Sequence, residues 1–183
     1  MMLKKFAIGA LALTAMTMTM ITDANAWSLG SATRQAHRGQ APLQFQIFCL
    51  QNPGECRRSR ISSVSYNGHI KNVIRSINDQ VNRQIKPKAD KGGDVWSISS
   101  TTGDCDDYVM TKRHRLIRAG IPASALRIAV VRTSWGEGHA VLLVKTSSGE
   151  YVLDNIRKSI VSRGASGYRY LNISSADPTR WGN

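Results

Sequence analysis

TTGDCDDYVMTKRHRLIRAG, residues 101–120, decides the fold, because one cysteine stands among three aspartates where a helix begins. The apolar spacing, the closing Gly120 and Pro122 beyond it predict a helix over 105–119. Cys105 then lies in the first turn, where unpaired backbone N–H groups and the positive end of the helix dipole favour a thiolate. The same amides can hold an oxyanion. Asp104, Asp106 and Asp107 fit two roles at that end. They complement the dipole as N-cap and first-turn acids, or they supply oxygen ligands to a hard cation.

Downstream of this helix the hydrophobic period changes. ALRIAVVRT, HAVLLVKT and YVLDNI are short β-branched runs joined by TSWGEG and SSGE, and GYRYLNI reads as a further strand. Upstream, Ile70, Val73, Ile74, Ile77, Val81 and Ile85 recur at helical spacing and predict an amphipathic helix within 61–85, ended by Pro87. Residues 88–104 carry Gly92-Gly93 and a Ser/Thr cluster and read as a loop. PLQFQIFC alternates and reads as an extended piece. Helices first and an antiparallel meander afterwards describe an α+β domain.

The first 26 residues stand apart from that domain. Lys4 and Lys5 precede an apolar run over 6–21, and Ala24-Asn25-Ala26 follows it, the pattern of a cleaved export signal. The run is shorter than the ~20 residues a membrane span needs. The expectation is cleavage before Trp27, a single domain over 27–183, and a periplasmic or secreted protein. Loss of Lys4, Lys5 and Asp23 takes the formal charge from +13 to +12. Nucleic acid, anionic polysaccharide, lipid headgroups and an acidic protein substrate are all compatible with such a charge, which reads first as a solvated surface. The basic residues are nevertheless scattered from Arg34 to Arg180 without an aromatic-interleaved or groove-reading motif, so nucleic acid is not expected.

Export also changes what the three cysteines mean. In an oxidising compartment Cys49 and Cys56 are close enough to clip one loop around the Pro53-Gly54 turn. Cys105 is left odd, and an odd cysteine is an intermolecular bridge, a buried inert thiol or a reactive one. A reactive thiol needs a base. His37 and His69 sit in a tail and near a helix start, where solvated roles suit them. His114 is nine residues beyond Cys105, on another face of the helix. His139 opens the strand HAVLLV, either as a strand-edge histidine held by a carbonyl or as the base. With SSGE taken as a four-residue connection, Asp154 falls near Leu142 or Leu143. A bulge or a shifted turn must then bring it to His139.

GDCDDYVMTKRHRLIRAGIPASALRIAVVRT followed by GHAVLLVKTSSGEYVLDNI resembles the bacterial transglutaminase-like cysteine peptidases, a branch of the papain-like superfamily. The resemblance covers roughly residues 66–172. It implies a papain/transglutaminase-like core with the nucleophile at the start of a helix packed on an antiparallel sheet. It also implies Cys105 as nucleophile, His139 as general base and acid, and Asp154 as the residue orienting His139. In the LapG-like periplasmic branch, the resemblance implies calcium dependence with Asp104 and Asp106 as metal ligands. It implies a large surface adhesin as protein substrate and restraint by an inner-membrane receptor.

Two departures accompany the resemblance. The loop before the nucleophile is VWSISSTTG, without the usual Trp-Ala-x-Pro-like segment, although Trp96 keeps an aromatic there as a candidate for the cleft wall or oxyanion site. Asp106 stands where glutamate is frequent. Two carboxylates beside a thiol raise its pKa, and a bound cation removes that penalty, so calcium activation is also a physical expectation. Asp90 and Asp94 could add ligands. The same triad supports acyl transfer to an amine, because water or an amine can resolve a thioester. A non-catalytic secreted binding module would instead carry an inert Cys105.

Overall fold

The amphipathic run becomes a helix, although a shorter one than its apolar spacing predicts. In a computed structural model describing residues 39–99 and 101–182, α2 spans Gly68–Gln84 and starts where the Asn67 side chain accepts a bond from the Ile70 N–H at 2.9 Å. That Asn cap satisfies a free helix-end amide, so residues 61–67 remain outside the helix. The expected signal segment and His37 lie outside the described residues.

PLQFQIFC is not extended. It forms α1, Leu43–Gln51. Its alternation is misleading because the residues that matter are Phe45 and Phe48, three apart and both buried on one side of a helix. Phe45 packs against Trp96 at 5.8 Å and Trp181 at 5.7 Å between ring centroids. This aromatic packing overrides local pattern. Cys49, in the last turn of α1, and Cys56 form a disulfide around a single 3-10 turn at Pro53–Cys56.

Within residues 101–120 lies α3, Cys105–Arg118, with Gly120 in the left-handed region just past its end. That position favours glycine. Before α3, two short parallel strands, β1 at Lys86–Pro87 and β2 at Thr102–Gly103, anchor the intervening loop. After α3 come β3 (Leu126–Arg132), β4 (Gly138–Thr146), β5 (Gly149–Leu153), β6 (Val161–Ser162), β7 (Arg169–Ser174) and β8 (Trp181–Gly182). All pairings in their sheet are antiparallel, in the order β6-β5-β4-β3-β7-β8. The first three strands form the expected meander. β7 then returns to the far side of β3.

Both faces of this sheet are covered, which is why HAVLLV is apolar without alternation. Ile128, Val130, Ala140, Leu142, Val144 and Leu153 face the helix side with Val109, Met110 and Leu116 of α3. Ala129, Val131, Val141, Leu143, Val152 and Ile173 form the opposite layer, beneath Tyr168 and Tyr170. The fold is therefore α+β, with a helix layer on one face of an antiparallel sheet.

Candidate active site

The strand ladder settles how His139 meets Asp154. The β4–β5 connection has only two residues, Ser147 and Ser148, since Thr146 pairs with Gly149 and Lys145 with Glu150. A four-residue SSGE turn would have set Lys145 opposite Tyr151 or Val152. The tighter turn moves Leu153 opposite Leu142 and leaves Asp154 one step further along. That step sets it level with Val141, on the diagonal from His139, where cross-strand side chains reach each other. The shifted turn does what a bulge would otherwise have done. His139 Nε2 and Asp154 Oδ1 lie 2.8 Å apart, both side chains almost wholly buried.

Asp154 is held from every direction. Tyr168 Oη donates to its Oδ2 at 2.5 Å, the Ile156 N–H donates to Oδ1 at 3.0 Å, and Asn82 of α2 donates to its backbone carbonyl at 2.7 Å. Burial alone would raise its pKa, but the bonds from His139 and Tyr168 outweigh burial and hold the carboxyl below its usual range. A low carboxylate pKa keeps the charge that fixes the imidazole tautomer. Tyr168 also lays its ring edge-on to His139, 5.8 Å between centroids. Nothing in the sequence pattern marks Tyr168 or Asn82, because each acts across more than a dozen residues. Lys112 is buried nearby, where desolvation pulls its pKa to about 7 against the attraction of Asp154 and Asp79.

With Nε2 engaged by Asp154, Nδ1 is the nitrogen left for a thiol. Cys105 is the first residue of α3, and the backbone N–H of Ala140, next to His139, stabilises its sulfur in the ionised form. The helix start and the β4 start are thereby adjacent. The residue retains some exposure while its sulfur is closely surrounded. Desolvation is the main reason its thiol is pushed up to about 12, followed by the charges of Asp106, Asp104 and Asp94.

The aspartates divide by their hydrogen bonds. Asp107 is fully used: its Oδ1 accepts from the Ser97 N–H and hydroxyl at 2.9 and 2.7 Å, and its Oδ2 from the Asp104 N–H at 3.3 Å. It completes a capping box with Asp104. Among the described residues, Asp104 Oδ1 and Asp106 Oδ2 are buried without a partner. Burial first, and then the bond and charge of Asp104, push Asp106 up to about 11. Asp104, Cys105 and Asp106 each bring a ligand atom within 4.8 Å of one another, and so do Asp90, Asp94 and Asp104. The loop acids whose direction the sequence leaves open thus converge on the helix cap. Orphaned carboxylate oxygens are what a hard cation satisfies, so these residues fit calcium.

Trp96 belongs elsewhere. Its ring is 4% exposed and packs on Phe45 and Trp181, and its indole N–H donates to Asp94 at 3.3 Å. Core packing takes the ring, so it neither walls a cleft nor offers a free donor. Its nearest service to the site is to brace Asp94. His114, two and a half turns from Cys105, pairs with Glu55 of the disulfide loop at 2.7 Å, and His69 is exposed on α2.

Gly103, the residue before the cap, permits this arrangement by having no side chain. A Cβ there would lie 2.3 Å from Asp107 Oδ2 and 2.5 Å from its Cβ. Gly103→Ala is expected to displace Asp107, break the capping box and cost about 1–3 kcal/mol. Urea unfolding of the two proteins measures it; equal midpoints would show that the contact yields freely.

Comparison with solved structures finds Legionella pneumophila LapG at TM-score 0.52, 19% identical, over 73% of this chain and 73% of that one. Its calcium-bound form matches at 0.52, 18% identical, over 78% and 80%. The EGTA-treated form matches at 0.50, 18% identical, over 71% of each chain. Such likeness speaks for the fold. No curated protein matches significantly. The model of the bacterial transglutaminase-like cysteine proteinases, BTLCP, matches residues 35–183. With a cysteine opening the helix beside a buried histidine–aspartate pair, that match over most of the chain makes the protein a member of this family and a cysteine peptidase.

Proposed function

We propose that the protein is an exported, calcium-dependent endopeptidase using Cys105, His139 and Asp154. The observation carrying the reading is the 2.8 Å His139–Asp154 pair set beside the helix that Cys105 opens. In this reading Nδ1 of His139 takes the thiol proton and the sulfur attacks the substrate carbonyl carbon. The carbonyl oxygen becomes an oxyanion facing the amides at the start of α3. As the tetrahedral species collapses, the C–N bond breaks and His139 returns its proton to the leaving amine. Water, deprotonated by the same imidazole, then cleaves the thioester and frees the thiol. Asp154 stays ionised throughout and steadies the imidazolium.

Asp104 and Asp106, with Asp94 and Asp90 from the preceding loop, are the residues that would hold calcium. A bound divalent ion would offset the carboxylate charges that disfavour the Cys105 thiolate. Export follows from the signal-like residues 1–26. A large protein displayed outside the inner membrane, such as a surface adhesin, is the substrate we infer, and an inner-membrane receptor is the inferred restraint; the family resemblance supports both.

Incubating the protein with an unfolded protein substrate and a primary amine, in calcium and in EGTA, tests the reaction type. Mass spectrometry is expected to show new peptide termini in calcium, with the amine left unincorporated. Amine-modified glutamine side chains without new termini would replace hydrolysis by acyl transfer. Tyr168→Phe removes one hydrogen bond from a buried carboxylate, so kcat is expected to fall about tenfold with KM little changed. An unchanged kcat would show that Asp154 is held adequately without it.

A further inference from the structure

At the end of the sheet away from His139 lies a cavity of about 400 Å³ whose lining includes Arg127, Arg163, Ser174, Ser175 and Arg180. A second cavity, of about 320 Å³, shares Ser175 and Arg180 with it and adds Arg58 and Asp177. Together they make one groove bordered by four arginines.

Among the described residues these guanidinium groups are only partly neutralised. Glu150 binds Arg163 at 2.9 Å and Arg127 at 3.5 Å, and Asp177 lies 3.9 Å from Arg180. Among the described residues, four positive charges face two negative ones, an excess of two. Arg163 is braced 4.6 Å above the Tyr170 ring, which presets its planar fork. Arg127 reaches Glu150 through Nη1. Arginine forks match carboxylates in particular, two N–H bonds to two oxygens.

The position of the groove narrows the ligand. Arg127 pairs with Leu143, and four residues further along β3 Val131 pairs with His139. Side chains of residues an even number apart leave the same face of a strand, so Arg127 and the imidazole share a face, about 13 Å apart along the strand. A chain bound at Arg127 is therefore ~4 extended residues from His139 along the strand.

We propose that this groove is an exosite that grips acidic side chains of the protein substrate at a distance from the bond that is cut. The identity of the ligand rests on the peptidase reading; the binding itself does not require turnover.

Fluorescence anisotropy of a labelled octaglutamate peptide, titrated with the Cys105→Ala protein near physiological salt, tests this without interference from cleavage. Arg163→Gln combined with Arg180→Gln is expected to weaken binding at least about tenfold, the loss of a charge-assisted contact. Arg83→Gln combined with Arg118→Gln removes equal charge from the helices and is expected to leave binding within about twofold. Arg180→Glu alone, on a side chain 79% exposed, tests the groove without disturbing the Arg163–Glu150 pair and is expected to weaken binding likewise. Equal weakening by both double variants would reduce the effect to net charge and overturn the proposal. So would inorganic phosphate binding that the groove variants abolish while octaglutamate binding stays unchanged, which would assign the groove to phosphate.

Discussion

Cys105→Ala is expected to abolish peptide-bond cleavage, a loss of at least about 10⁴-fold in kcat, with the melting temperature nearly unchanged. The residue is partly exposed and its sulfur makes no structural bridge, so the fold does not depend on it. His139→Ala is expected to lose almost as much, and the double variant hardly more than either single one. Residues that act as a unit are not additive in this way. Activity assays on the three purified variants decide it. Independent, multiplying losses would mean that Cys105 and His139 do not share a proton.

Chelation should produce the second largest effect. Removing calcium is expected to slow cleavage by about 100-fold, as the carboxylates beside Cys105 return the thiol to its protonated form. The sign follows from the charges. A thiol raised to about 12 by burial and then by Asp106, Asp104 and Asp94 is almost wholly protonated at neutral pH, and less so when those carboxylates are offset. Asp106→Asn separates this account from simple loss of folding. Without calcium it should react about as fast as the native protein, because burial and Asp104 already hold the Asp106 carboxyl neutral near pH 7, and calcium should no longer accelerate it. If Asp106→Asn behaved as the native protein in both conditions, Asp106 would have no part in the metal site.

The sequence carries the helix of Cys105, the strands after it and the disulfide because each has a local cause: a cap, an apolar run, a short loop. Gly120 ends α3 in the left-handed backbone that favours glycine, and that end is readable from residues 119–122 alone. What was not legible has non-local causes. α1 is helical because Phe45 and Phe48 find Trp96 and Trp181, residues distant in the chain. Trp96 matches an aromatic of the family's segment before the nucleophile, which suggests a cleft residue, whereas the aromatic cluster takes it into the core.

The site shows the same division. Chemical type singled out Cys105, His139 and Asp154, but whether the last two meet turned on the β4–β5 turn length. Thr146 bonds across the turn to Gly149 at 2.9 Å and receives the Ser148 N–H at 3.1 Å, closing a two-residue turn where the motif SSGE suggested four. Gly149 has φ of 115°, a conformation that glycine adopts without strain. The single residue type that makes the tight turn possible also sets the register that brings Asp154 to His139. Asp90 and Asp94 were visible as loop acids; only the folded loop, pinned by Asp107 to Ser97, turns them toward Asp104.

The rate of Cys105 alkylation by iodoacetamide across pH, in calcium and in EGTA, tests the account most directly, with His139→Ala as control. Cys105 is the single cysteine outside the disulfide, so the label reports one thiol. The account predicts rapid labelling below pH 7 in calcium, slowed by His139→Ala and shifted to higher pH by EGTA. Slow labelling with an ordinary thiol profile in every condition would contradict it and leave Cys105 a passive residue at the start of a helix.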